Sequence, residues 1–182
     1  MHRIEAYIRL AIIFIVLISI LYLPILFILK KKGKSPIRQL SYIGVFCSFF
    51  LIVFATILFV PMNFHPEEYI LNLSPFNWLE NTNSVQQFIV EKIPNIILFI
   101  PLGFFIPIVF KKQRKLYKTL LLSFSITFGV EFIQFFIGRS ADIVDIITNL
   151  FGTIIGYTIY KLLNSLCKSN LFWNILPNKN ES

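Results

Sequence analysis

The stretch VEFIQFFIGRSADIVDIITNLFG, residues 130–152, places Glu131, Asp142, Asp145 and Asn149 in a chain that is otherwise oily almost from end to end. Read as two apolar helices joined at Gly138-Arg139-Ser140, it puts carboxylates and an amide where a membrane span would exclude them. The rest of the chain supports that reading. Mean hydropathy is +0.74, with 56% apolar and only 14% charged residues, about half the charge of a soluble domain. Twenty-one Phe and nine Pro in 182 residues suit lipid-facing helices that bend.

Five apolar runs approach the length of about 20 residues that a span needs: Leu10–Leu29, Leu40–Val60, Ile93–Phe110, Leu116–Ile137 and Ile143–Leu163. The expected fold is an all-α, polytopic membrane bundle of about five transmembrane helices, a single membrane domain over 1–182. The first run is too long for a signal peptide and has no small-residue cleavage site, so it reads as a retained helix. The third run is interrupted by Pro94, Pro101, Gly103 and Pro107. Internal prolines remove backbone bonds and clash one turn back, which predicts a kinked or broken helix.

Orientation follows from Lys and Arg in the short loops. Lys30, Lys31, Lys32, Lys34 and Arg38 fall on one side with Lys111, Lys112, Arg114, Lys115, Lys118, Lys161, Lys168 and Lys179. Arg3, Arg9, Lys92 and Arg139 fall on the other, with the acids Glu67, Glu68, Glu80 and Glu91. The N-terminus is therefore expected outside, the C-terminus and a tail over 164–182 inside, and an extracytoplasmic loop over 61–92. Pro75 and Trp78 suggest a turn at the headgroup level of that loop. Val85, Phe88, Ile89 and Ile93 recur at helical spacing opposite Gln86, Gln87 and Glu91, the pattern of a short interfacial helix leading into the third span. The net charge of +8 comes as bursts between apolar runs, so it marks membrane sidedness and not nucleic-acid binding.

Helical spacing places Thr127, Glu131, Gln134 and Gly138 on one stripe of the fourth span, and Asp142, Asp145, Asn149, Gly152 and Gly156 on one stripe of the fifth. Asn95 lies in the first turn of the third. All three sets sit at one depth, just under the outer headgroups, and can share a pocket. Structural readings compete with functional ones. Asp142, behind Ser140, is placed as a helix cap; Asp145 can pair with Arg139; Asn149 can bridge helices. The small pair Gly152 and Gly156 reads as close packing. Glu131 is hardest to explain structurally, because a charge in the hydrocarbon costs about 2.5–3.5 kcal/mol on insertion scales. It must be neutral or paired with a cation or donor.

No Ser-His-Asp set, HExxH, CxxC or phosphate-cradling glycine loop is present, and Cys47 and Cys167 are too far apart to suggest a metal cluster or disulfide framework. No cofactor and no metal ligand set is expected. His65 reads as a loop surface residue.

Four motifs in order give this chain a resemblance to the VanZ-like membrane family, the group named for a teicoplanin-resistance protein. They are Leu73-Ser74-Pro75-Phe76; Asn95, Phe99, Pro101 and Gly103; Glu131 and Gln134; and Asp142, Asp145, Asn149 and Gly152. The resemblance covers about residues 71–160. It implies a cell-envelope protein of a bacterial membrane with a role against glycopeptide antibiotics, and it names no reaction. The expected partners are membrane lipids and an amphiphile of the outer leaflet, either a lipid-linked wall precursor or a lipoglycopeptide. The alternative is a small membrane enzyme acting on a lipid headgroup, with Glu131, Asp142 and Asp145 as acid–base groups or ligands of a hard cation. A transporter built on the proline-rich span lacks an inverted repeat.

Overall fold

The computed structural model describes residues 36–58, 63–75 and 84–166, together with the single helical positions 12, 16, 20, 23, 24, 27 and 28. The first expected span as a whole, Phe76, Trp78 and the tail beyond 166 lie outside the described residues. Four described helices are long and apolar enough to cross a membrane: Gln39–Leu58, Val90–Val109, Leu116–Phe136 and Ile143–Leu166.

The first of these combines α1 (Pro36–Val53) with a π-turn at Phe54–Leu58. Next come a two-residue strand β1 (Leu71–Asn72), α2 (Ser84–Val109), a 3₁₀ turn at Lys111–Gln113, α3 (Leu116–Phe136), β2 (Ala141–Asp142) and α4 (Ile143–Leu166). Polar and apolar residues are inverted relative to a soluble protein. Phe124, Phe128, Phe132 and Phe136 form an exposed stripe on α3, while Thr119, Ser123 and Thr127 on its other side are fully buried.

α2 and α4 make the most extensive helix contact, and glycine is the reason they approach so closely. A Cβ on Gly103 would strike the backbone of Thr153; one on Gly152, the carbonyl of Ile96; one on Gly156, the carbonyl of Ile100. The spacing of Gly152 and Gly156 thus serves backbone-to-backbone packing, as small residues do between membrane helices. An apolar core of Phe99, Leu102, Ile106, Val130, Ile137 and Ile52 joins α2, α3 and α1.

The third expected span is not broken. α2 is one helix of 26 residues that contains Pro94, Pro101 and Pro107 without a break. The segment read as an interfacial helix forms its first turns, so no loop separates the two. Lys92, counted as a loop charge from sequence, accordingly lies two turns inside α2.

Candidate functional site

The polar residues meet at the end of the bundle where α3 hands over to α4. The chain leaves α3 through Gly138, whose φ of +79° is a backbone state that side chains disfavour. A Cβ there would also press on the Asn63 carbonyl at 2.5 Å. This turn is tied to the 63–75 segment by Asn63 N–H donating to Ile137 O at 2.9 Å. It is tied again by parallel pairing of β1 with β2, which sets Leu71 beside Ala141 and Asn72 beside Asp142. The segment that carries Ser74 and Pro75 therefore lies against the start of α4, and Asn72 Oδ1 accepts Ser74 N–H to shape its turn.

Lys92 reaches across from α2 and sits between two acids. Its Nζ is 2.8 Å from Asp142 Oδ2 and 2.7 Å from Asp145 Oδ1. Asn95, one turn further along α2, donates from Nδ2 to the same Asp145 oxygen at 2.8 Å. Asp142 does two jobs with its two oxygens: Oδ1 accepts Val144 N–H at 2.8 Å, capping α4, while Oδ2 holds Lys92. Glu131 is 5% exposed, and its Oε2 accepts the backbone N–H of Asp142 at 3.0 Å. Glu131, Asp142, Asp145, Asn95 and Lys92 therefore form one continuous hydrogen-bonded set drawn from three helices. One turn deeper, Asn149 of α4 donates to Thr127 Oγ1 of α3 at 2.6 Å.

Arg139 does not pair with Asp145, as sequence proximity suggested. The left-handed turn at Gly138 directs it to the π-turn after α1, where its Nη1 donates to Thr56 O at 3.2 Å. Gln134 Nε2 donates to the same carbonyl at 2.9 Å. Thr56 lies in the π-turn of that span. Gln134 and Arg139 thus fasten the π-turn after α1 to the α3–α4 turn and stand beside the carboxylate set, not within it. Arg139 is still close enough for its charge to act on Glu131 and Asp145.

Two participants escaped the sequence reading. Lys92 falls three residues before Asn95, a spacing that shares a helix face, and this was the available signal. Thr56 contributes only a backbone carbonyl, which no sequence pattern marks.

Chemically, the set presents acceptors. Among the described residues no donor reaches Glu131 Oε1 or Asp145 Oδ2, so both oxygens keep unused acceptor capacity. Among the described residues no three His, Cys, Asp or Glu side chains are disposed to hold a metal ion; between Asp142 and Asp145 the cation is Lys92 itself.

A family model described as VanZ/LLP1 matches residues 46–164, which takes in all four described spans at least in part. The chain is also 34% identical over 134 residues to Protein VanZ of Enterococcus faecium, an alignment that spans 72% of this chain and 78% of that protein. No solved structure matches the chain. The chain belongs to the VanZ/LLP1 family.

Proposed function

We propose that the chain is a multi-pass protein of a bacterial cell membrane, N-terminus outside and C-terminus inside, that binds an amphiphile at the outer leaflet. The ligand is a lipid-linked wall precursor or a lipoglycopeptide, and its capture lowers susceptibility to teicoplanin-type glycopeptides. One observation carries this reading: Lys92, Asn95, Glu131, Asp142 and Asp145 gather at a single bundle end, beneath the loop that bears Ser74 and Pro75. Five Lys and Arg residues crowd the connection at the other end, 111–118, which on the positive-inside rule favours the outer face for the polar set.

Two uncommitted carboxylate oxygens next to an apolar helix surface suit a ligand with a hydrogen-bonding head and an acyl tail. Teicoplanin-type antibiotics carry such a tail and vancomycin does not, so the reading separates the two drugs. Deleting the gene in its host and restoring it on a plasmid tests this. Loss of the protein should lower the inhibitory concentration of teicoplanin while leaving that of vancomycin unchanged. An equal response to both drugs, or to neither, removes the lipid-tail dependence and the reading with it.

A further inference from the structure

A different feature lies below the carboxylate set, in the seam between α3 and α4. Thr119, Ser123, Thr127 and Glu131 succeed one another at four-residue intervals on α3, all buried. Thr148, Asn149, Thr153 and Tyr157 are among the buried residues of α4, and Asn149 meets Thr127 across the seam. This row covers about 18 Å, at about 1.5 Å per residue. Small and hydroxyl-bearing residues are common between packed membrane helices. Here the buried line is made of hydroxyls and an amide.

Most of these groups find partners inside the protein. Thr119 Oγ1 donates to Gln113 O at 2.6 Å, Thr153 Oγ1 to Asn149 O at 3.1 Å, and Tyr157 OH to Arg114 O at 2.8 Å. Two do not. Asn149 is 3% exposed, and the single hydroxyl of Thr127 meets one end of its amide; the other end, Oδ1, has no partner among the described residues. Ser123 is 0% exposed, and its Oγ also has none. Serine and threonine in helices ordinarily return their hydroxyl proton to the carbonyl four residues back, as Ser48, Ser125, Thr148 and Thr158 all do here. Ser123 is an exception. At the far end of the same row, Gln113 Oε1 is a third buried atom without a partner among the described residues.

Unmatched buried polar atoms on neighbouring turns point to internal water, since water makes two to four hydrogen bonds to groups of this kind. We propose that the α3–α4 seam holds internal water, bound between the free end of the Asn149 amide and the Ser123 hydroxyl. Thr127 is one turn below Glu131, and Asn149 one turn below Asp145. Water at this point gives the carboxylate set a hydrogen-bonding floor in place of an apolar one. The inference does not depend on any ligand bound above it.

A crystal structure of the full chain grown from a lipid mesophase, combined with thermal unfolding of Ser123→Ala, tests it. Ser125→Ala, on the exposed side of the same helix, serves as the comparison. The expected result is ordered density within hydrogen-bonding distance of both the Asn149 amide and Ser123 Oγ. Ser123→Ala should then lower Tm by about 2–4 °C relative to Ser125→Ala, on the scale for a chain of this size, because a bound water loses a partner. A dry seam in the crystal overturns the proposal whatever the variant does. So does a Tm for Ser123→Ala that is unchanged or raised, the outcome when an unsatisfied buried hydroxyl is simply removed.

Discussion

Lys92 holds an exacting electrostatic position. One ammonium, 11% exposed at its side chain, satisfies two carboxylates that are themselves only 15% and 21% exposed. Removing one partner from a buried ionic group leaves charge without compensation, at a cost of about 3–5 kcal/mol. Lys92→Met is therefore expected to destabilise the protein by that order, read as a fall in the unfolding midpoint in detergent or bicelles. Glu131→Gln is a gentler change. The amide oxygen can still accept the Asp142 N–H that Glu131 Oε2 accepts at 3.0 Å, so the fold should hold and the midpoint should move little. If Glu131 contacts the ligand through its charge, the same variant should forfeit teicoplanin protection in cells; full protection from a well-expressed Glu131→Gln protein rules out that contact.

The acids and the amide were legible in the sequence because each broke an apolar pattern at helical spacing. Lys92 was not, because the apolar run begins at Ile93 and a charge just outside such a run looks like a loop residue. Only the continuous helix from Ser84 turns it inward. Arg139 misled for the opposite reason. It is the cation nearest to Asp145 in sequence, but the backbone at Gly138 aims it at Thr56. The pairing of 71–72 with 141–142 could not be read either, since two-residue strands carry no periodicity.

Among the helices, the α2–α4 contact governs where the site residues stand. It places Lys92 and Asn95 opposite Asp142 and Asp145, and it rests on Gly103, Gly152 and Gly156 meeting backbone atoms. Gly156→Leu would force these two helices apart. A loss of about 1–3 kcal/mol or more is expected for such overpacking, and any ligand binding at the distant polar set should weaken with it. Gly129 supplies the contrast: it lies within α3, and nothing stands within 4 Å of where its Cβ would be. Gly129→Ala should be tolerated or stabilise by about 0.5–1 kcal/mol through the helix preference of alanine. Thermal unfolding of the two variants side by side checks both signs. The prolines of α2 carry a related lesson. Sequence rules predicted a kink or a break; there is no break, since Pro94, Pro101 and Pro107 all lie within one continuous helix, consistent with the tolerance of membrane helices when neighbours satisfy the freed groups.

For the molecule in its bilayer, the proposed orientation makes a direct forecast. Ser74 is exposed in the segment at the polar end, and Lys112 is exposed at the opposite end. In a variant freed of Cys47 and Cys167, a cysteine at position 74 should react in intact cells with a membrane-impermeant maleimide, and one at 112 only after lysis. The reverse pattern would put the carboxylate set on the cytoplasmic side and end the outer-leaflet reading. Four of the apolar runs were legible from the start; the geometry of the carboxylate set required the folded chain.

That centre exists only if Lys92 of α2 and Asp145 of α4 interact as closely as the 2.7 Å contact indicates. A double-mutant cycle on Lys92→Met and Asp145→Asn, followed by reversible unfolding in a fixed bicelle composition, measures this most directly. The pair should be coupled, the double variant being more stable than the sum of the single losses allows by about 0.5–3 kcal/mol. Losses that add to within about 0.3–0.5 kcal/mol, the behaviour of independent sites, would contradict a shared centre.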